Sequence, residues 1–325
     1  MNAHTRWLDR AEREQFGRTL NVSGAGSSLL QTQINKVIQM LTLRYLGVGS
    51  TLEIRPGSGN AAYINRRTAG LTGGAWVDDT DAATEETGTY AQVNFPYKTL
   101  LTQGTVTRGL QAKGKSYGDI LGAELVGKSE DFSDQSEFGL ISGDTGASGS
   151  AKQFNGLLTL INAVSTQVVA TTNGTGGDNL VLGKLDAAIQ RVKGLNSDKL
   201  IFVSQLGGRK INAALQAQQR FVNQTVIDGG FQVNTYNNIP IIESTRIPDT
   251  MAWSGTSITA FTGGGTTAVI IVNKRMTWIE ELTPTTVMPL ARTDSQFERF
   301  HIFRDFSLVY SNTLGGALLA GITTV

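Results

Sequence analysis

Residues 51–108 show strand-like alternation at both ends and carry almost nothing between them that could fill a core. Thr51-Leu52-Glu53-Ile54-Arg55 and Tyr90-Ala91-Gln92-Val93-Asn94-Phe95 alternate with the period of a half-buried strand. The stretch between them is punctuated by Gly57, Gly59, Gly70, Gly73 and Gly74, and turns acidic at Asp78, Asp79, Asp81, Glu85 and Glu86. This pattern predicts a long two-stranded excursion with an irregular, acidic tip. An isolated two-stranded ribbon is marginal in water. The ribbon therefore needs a further surface, on its own body or on a neighbouring subunit, and that requirement constrains the rest of the chain.

Composition points the same way. Charged residues make up 17% of the 325 positions, against about 25% in typical soluble domains. Glycine, at 38 residues, is over-represented. Such a chain suits many strands and turns, and a surface covered in part by something other than water. The absence of cysteine excludes a disulfide scaffold, a thiolate zinc site and a cysteine nucleophile. With His4 and His301 as the only histidines, a multi-histidine metal site is excluded in practice. The net charge is +1, whereas proteins that grip duplex DNA through many phosphates carry an excess of cations. No apolar run is long enough to span a bilayer, so no membrane partner is expected. Residues 1–20 are charged throughout and lack the apolar stretch of a secretory signal. The chain is expected to be made and kept in a reducing cytoplasm, leaving it only on lysis.

Periodicity predicts helices over 7–18 and 29–46 and a longer one over 115–138, where Tyr117, Leu121, Leu125, Lys128 and Phe132 repeat every three or four residues. A Gly/Ser stretch at 146–150 marks the best domain boundary. Beyond it lie predicted helices over 184–195 and 210–220 and a buried strand, Leu200-Ile201-Phe202-Val203. A hairpin over 231–243 turns at Tyr236-Asn237-Asn238. Strands are expected at 268–272, 276–282, 296–310 and 317–322. Helices and strands are segregated, which makes the class α+β.

Several motifs imitate chemistry. Gly109-Leu110-Gln111-Ala112-Lys113-Gly114-Lys115-Ser116 fits the nucleotide-binding P-loop letter for letter and sits between a strand and a helix. However, the strand before it alternates, whereas a P-loop strand is central and apolar throughout. No apolar strand ends in a magnesium-positioning aspartate. A P-loop enzyme using 109–116 remains the alternative to a structural role. Gly24-Ala25-Gly26-Ser27-Ser28-Leu29 lacks the third glycine of a dinucleotide fingerprint. His301 has no nucleophile elbow to serve. Asp78-Asp79 and Glu85-Glu86 read as solvated loop charge. Arg66 and Arg67 on the outgoing strand, the acids Asp78, Asp79, Asp81, Glu85 and Glu86 at the tip, and Lys98 and Arg108 on the return are candidate inter-subunit contacts, meeting complementary patches on neighbouring copies.

In the order of its elements the chain resembles the major capsid proteins of tailed bacteriophages, which share the Hong Kong 97-type fold. Four stretches carry the resemblance. The first is the arm followed by the extended excursion. The second is the long helix running through Glu130-Asp131-Phe132 to Ser142-Gly143-Asp144 and Asn155-Gly156-Leu157-Leu158. The third is Phe231 to Tyr236 with Ile239-Pro240-Ile241-Ile242-Glu243-Ser244 and Ile247-Pro248. The fourth is the final strands with their apolar end. The resemblance implies an N-terminal arm (1–50), an extended β-hairpin loop (51–108), a peripheral domain with a spine helix (109–150 and 268–325) and an axial α/β domain (151–267). It implies a non-enzymatic protein without cofactors that self-assembles into hexamers and pentamers of an icosahedral shell around double-stranded DNA, touching that DNA non-specifically. Separate scaffolding, portal and decoration proteins are expected partners, the virion is the expected location, and assembly is expected in the host cytoplasm. Lys98 is the only lysine of the excursion and no asparagine and carboxylate are placed to receive it, so no covalent cross-link between copies is expected.

Overall fold

The computed structural model describes residues 47–69, 76, 78–79, 88–114, 119–146, 152–172, 174–217, 223–226, 232–290 and 296–324. The helices expected over 7–18 and 29–46 and the dinucleotide-like segment lie outside the described residues.

A helical turn, α1 (Val48–Thr51), leads into the short strand β1 (Ile54–Pro56). The ribbon follows as β2 (Ala61–Ala69) and β3 (Thr89–Pro96), antiparallel, with Ala62 opposite Phe95 and Arg66 opposite Ala91. Strand β4 (Lys98–Thr107) runs directly into helix α2 (Arg108–Gly114), and the long helix α3 (Ile120–Ser142) comes next. Then follow α4 (Leu157–Asn162), β5 (Val168–Ala170), α5 (Leu182–Arg191), β6 (Lys199–Val203) and α6 (Gln205–Ala217). The remaining elements are β7 (Asn223–Val226), β8 (Gln232–Tyr236), β9 (Ile239–Glu243), β10 (Ala252–Trp253), β11 (Ile258–Ala260), β12 (Thr266–Asn273), β13 (Thr277–Pro289), β14 (Phe297–Tyr310) and β15 (Gly316–Thr323).

Two sheets organise these elements. A seven-stranded mixed sheet has the order β5-β15-β12-β6-β9-β8-β7. Its central strands β6, β12 and β15 are apolar runs buried on both faces, so alternate residues feed two separate cores. Leu200, Phe202, Ile270, Val272 and Leu318 face α4 and the end of α3, whereas Ile201, Val203, Val269, Ile271 and Leu319 face α5 and α6. The β8–β9 hairpin turns on Asn237 and Asn238, both in the left-handed region at φ 53° and 64°. A two-residue turn of this hand matches the twist of the strands, and asparagine tolerates the conformation. The second sheet has the order β1-β13-β14-β4, and α3 covers one of its faces through Phe132, Phe300 and Ile302, with Leu100, Leu121 and Leu125 around them.

Several expectations are corrected here. Residues 51–55 were expected as one strand; the structure ends a helical turn at Thr51 and pairs only Ile54–Pro56, parallel to β13. The long helix begins at Ile120 rather than 115 and continues to Ser142, because Leu140 and Ile141 bury fully at its far end. Residues 98–108 were read as the return of the excursion, but β4 pairs along its whole length with β14 and belongs to the four-stranded sheet. Within residues 268–325, β13 and β14 lie in the four-stranded sheet, whereas β12 and β15 are central in the seven-stranded sheet, since strands this apolar must be covered on both faces.

The passage from α3 to α4 relies on close backbone approach. The amide N–H of Gly156 donates to the Gly143 carbonyl at 2.8 Å, and a Cβ on Gly156 would lie 2.7 Å from backbone atoms of Gly143 and Ile141. Substitution Gly156→Ala is therefore expected to destabilise the fold by about 1–3 kcal/mol, read as a fall in thermal midpoint with secondary structure retained.

Candidate functional site

The root of the ribbon is assembled from alternate residues of β2 and β3. Ala62 opposite Phe95 and Ile64 opposite Val93 turn inward and join the main core, with Ala62 and Phe95 buried. One rung further out, Arg66 donates through Nε to the Ser311 carbonyl at 2.6 Å and through its terminal nitrogen to the Tyr310 carbonyl. The same guanidinium lies 5.8 Å over the Phe95 ring. At the other side of the root, the Tyr97 hydroxyl donates to Glu280 Oε1 at 2.5 Å, and the Gly57 N–H donates to the Glu281 carbonyl at 2.8 Å. Burial, followed by that bond to the Glu280 carboxylate, pushes the Tyr97 phenol up to about 12. Beyond Arg66 the ribbon loses its cover: Arg67 and Tyr90 are exposed, and Trp76 is fully so.

The six described residues among the nine candidate contacts are not gathered into one place. Arg66, expected to reach a neighbour, is committed to carbonyls of its own chain. Arg67 is on the opposite face of β2 and exposed, and Asp78 and Asp79 are exposed near the tip. Asp81, Glu85 and Glu86 lie outside the described residues. Lys98 opens β4 opposite Phe306, and Arg108 follows the last residue of that strand, with its N–H donating to the Gln296 carbonyl at 2.8 Å. The two cations therefore flank β4 at its opposite ends.

A second constellation carries no signature in the sequence reading. Glu137, 1% exposed on α3, accepts four hydrogen bonds: from the N–H groups of Gly47 (2.9 Å), Val48 (2.8 Å) and Gly49 (2.8 Å) and from Ser244 Oγ (2.9 Å). It satisfies the orphan amides at the start of α1, which no residue of that turn can do. One helical turn earlier, Asp134, also 1% exposed, receives a two-pronged contact from the Arg246 guanidinium, with Nε at 2.5 Å. The available signal was two carboxylates at i and i+3 on the same helical face as Leu140 and Ile141, which marks buried acceptors rather than solvated charge.

The P-loop alternative loses its geometry. Residues 109–114 lie in the helix α2 rather than in a loop of free amides, and Lys115 and Ser116 lie outside the described residues. Among the described residues the strand before them is an antiparallel edge paired only with β14. His301 is a half-buried residue of the interior strand β14, with Nε2 3.3 Å from Gln103 Oε1 on the adjacent β4. Among the described residues no cluster of His, Asp or Glu could hold a metal ion.

A family model described as the SU10 major capsid protein matches residues 53–323. The chain belongs to that family. It is a capsid shell protein, and its α+β architecture is the Hong Kong 97-type fold. Solved structures agree. The capsid of a native GTA particle matches with a TM-score of 0.67 at 15% identity, over 93% of this chain and 98% of the other. The SrpI encapsulin of Synechococcus elongatus PCC 7942 matches with a TM-score of 0.65 at 14% identity, over 93% and 95%. A chain from Mycobacterium phage Bobi matches with a TM-score of 0.64 at 12% identity, over 94% and 98%. No curated protein matches by sequence.

In this capsid protein the two polar constellations make separable predictions. Replacing Glu137 by Ala leaves buried donors without an acceptor and is expected to cost about 3 kcal/mol or more. Glu137→Gln, which keeps one acceptor oxygen, is expected to cost less, and thermal melts of the three proteins check the order. Tyr97 has a folded-state value raised from 10 to about 12, so its contribution is complete below pH about 10 and is lost as pH climbs towards about 12. The stability difference between wild type and Tyr97→Phe should hold steady at neutral pH and shrink across that alkaline window, as measured by denaturant titrations at stepped pH.

Proposed function

We propose that this protein assembles into hexamers and pentamers of an icosahedral shell around double-stranded DNA, and that each ribbon lies over the body of an adjacent copy. The observation that carries this reading is the division of the ribbon. Its root is packed and hydrogen-bonded to its own body, while beyond the root the described residues Arg67, Trp76 and Tyr90 are exposed. In a capsid protein, the surface that completes such an element is another subunit.

On this reading Arg67, Asp78, Asp79, Asp81, Glu85, Glu86, Lys98 and Arg108 set the register between copies, whereas Arg66 sets the angle at which the ribbon leaves. The four-stranded sheet with α3 forms the peripheral part and the seven-stranded sheet the axial part. A net charge of +1 suits a container whose wall neither captures nor repels packaged DNA, so contact with it is non-specific. Assembly takes place in the host cytoplasm, with scaffolding, portal and decoration functions supplied by other chains.

Because Arg66 pairs with Ala91, residues 67–90 can be replaced by a two-residue Asn-Gly turn that keeps the root intact. The trimmed protein is expected to melt like the wild type yet form no closed shells by negative-stain microscopy. Wild-type shells from the trimmed protein would overturn the reading.

A further inference from the structure

Three turns meet at one end of the seven-stranded sheet: 192–198 before β6, 274–276 between β12 and β13, and 311–315 between β14 and β15. Hydrogen bonds hold them together. The Lys193 N–H donates to the Leu314 carbonyl at 3.0 Å, the Lys274 N–H to the Asp198 carbonyl at 2.8 Å, and the Ser311 N–H to the Met276 carbonyl at 2.8 Å. Asn273 ties the first two, donating through Nδ2 to the Lys193 carbonyl at 2.8 Å and accepting at Oδ1 from the Arg275 N–H at 2.9 Å. Lys193, Lys274 and Arg275 are exposed on these turns. Their one acid, Asp198, is buried and already paired with Arg275 at 3.0 Å. Leu195, 71% exposed, and Leu314, 38% exposed, belong to the same turns. The result is an apolar surface among cations, in a chain whose net charge is only +1.

The outer ribbon carries the complementary chemistry. Between Arg67 and Lys98 the sequence has no cation, and Asp78, Asp79, Asp81, Glu85 and Glu86 fall within a single short run. Trp76, fully exposed, stands beside the exposed Asp78 and Asp79. Packaged DNA would satisfy the cations through its phosphates but would leave the leucines in water. An acidic segment led by a tryptophan satisfies both. Trp76 and Leu195 are each exposed in a single copy, so the match is not made within one chain. The patch also borders the ribbon root, because Arg66 donates to the Ser311 carbonyl at 2.6 Å. We propose that this patch receives the acidic ribbon tip of a second copy, with Trp76 against Leu195 and Leu314, and Asp78 and Asp79 facing Lys193, Lys274 and Arg275. Each copy then extends its own tip and receives another beside the base of its ribbon, a head-to-tail contact of the kind that closes into rings. Exposed ion pairs add little affinity. Here they orient the tip and reject misplaced neighbours, while the tryptophan supplies the apolar anchor. The inference rests on the reading that the ribbon engages a neighbour, and it adds the place where the tip docks.

The test is a charge exchange. Lys193→Glu/Lys274→Glu reverses the patch at two positions whose backbones, not side chains, make the bonds described above. The protein is expected to melt like the wild type and to need a roughly tenfold higher subunit concentration to form shells, a deficit that shrinks as salt is added. Asp78→Lys/Asp79→Lys should have the same effect, and the protein carrying all four substitutions should recover assembly. A reversed patch that assembles like the wild type overturns the inference, as does a fourfold variant no better than the reversed patch alone. Shells that close normally but hold less DNA would assign the patch to DNA and equally overturn it. A second measurement uses the absence of cysteine, which leaves no background. Subunits carrying Trp76→Cys and subunits carrying Leu195→Cys are mixed, assembled with wild-type subunits and oxidised. The expected product is a disulfide-linked dimer containing one of each, absent when Leu195→Cys is replaced by Val181→Cys, an exposed control before the other end of α5. Shells without that dimer, or with equal amounts in the control, overturn the docking site. These failures leave the ribbon reading in place, because that reading fails only if the trimmed ribbon also closes shells.

Discussion

Glu137 accepts hydrogen bonds from three successive amides at 47–49 and from the Ser244 hydroxyl, and so joins three separate parts of the chain: the N-terminal approach, the long helix and the hairpin side of the seven-stranded sheet. Burying a carboxylate costs several kcal/mol unless its lone pairs are filled. Here they are filled from sequence positions about 90 and 107 residues away, so the charge is tolerated only when all three parts are in place. Asp134 and Arg246 repeat the link one turn along the helix. Apolar packing alone would leave α3 free to slide along its groove, whereas directional bonds from fixed amide, hydroxyl and guanidinium donors set its axial position.

The same logic governs the junction between the two sheets. β14 is one continuous strand of 14 residues: Phe300 and Ile302 pack under α3, and Phe306, Leu308 and Tyr310 pass into the main core. Arg304 sits between these two regions, paired with Glu281 at 2.6 Å and lying 4.5 Å over the Phe306 ring. A buried cation is placed where one core gives way to the next and is neutralised by the adjacent strand. Because β14 passes through both cores, the ribbon that rises from beside it inherits its orientation from the whole body rather than from a local turn.

Much of this was legible in sequence for physical reasons. β6, β9, β12 and the β8–β9 turn are written in local apolar runs and in an Asn-Asn pair, and the ribbon in alternation around glycine. The missed features depend on distant partners. α1 has no helical signature of its own, since its first amides are satisfied by a residue of another helix. β4 alternates as a free ribbon strand would, and only pairing with β14 assigns it to the sheet. Arg66 and Arg67 are adjacent identical letters, yet strand pleating sends one to the Tyr310 and Ser311 carbonyls and the other to solvent.

A ribbon braced at its root behaves differently from a tethered loop. A flexible loop of this length would lose backbone and side-chain entropy along its whole span on docking, and that loss would weaken each contact it made. Arg66, Tyr97 and the Ala62–Phe95 rung already hold the root, so no ordering cost falls on the root itself. The bracing also limits the angles the tip can sample, which raises the effective concentration of the tip at a neighbour standing in the right place and lowers it elsewhere. A shell built from many copies must reject near-miss placements as strictly as it accepts correct ones. Selectivity of that kind comes more from a preorganised root than from the strength of any contact at the tip.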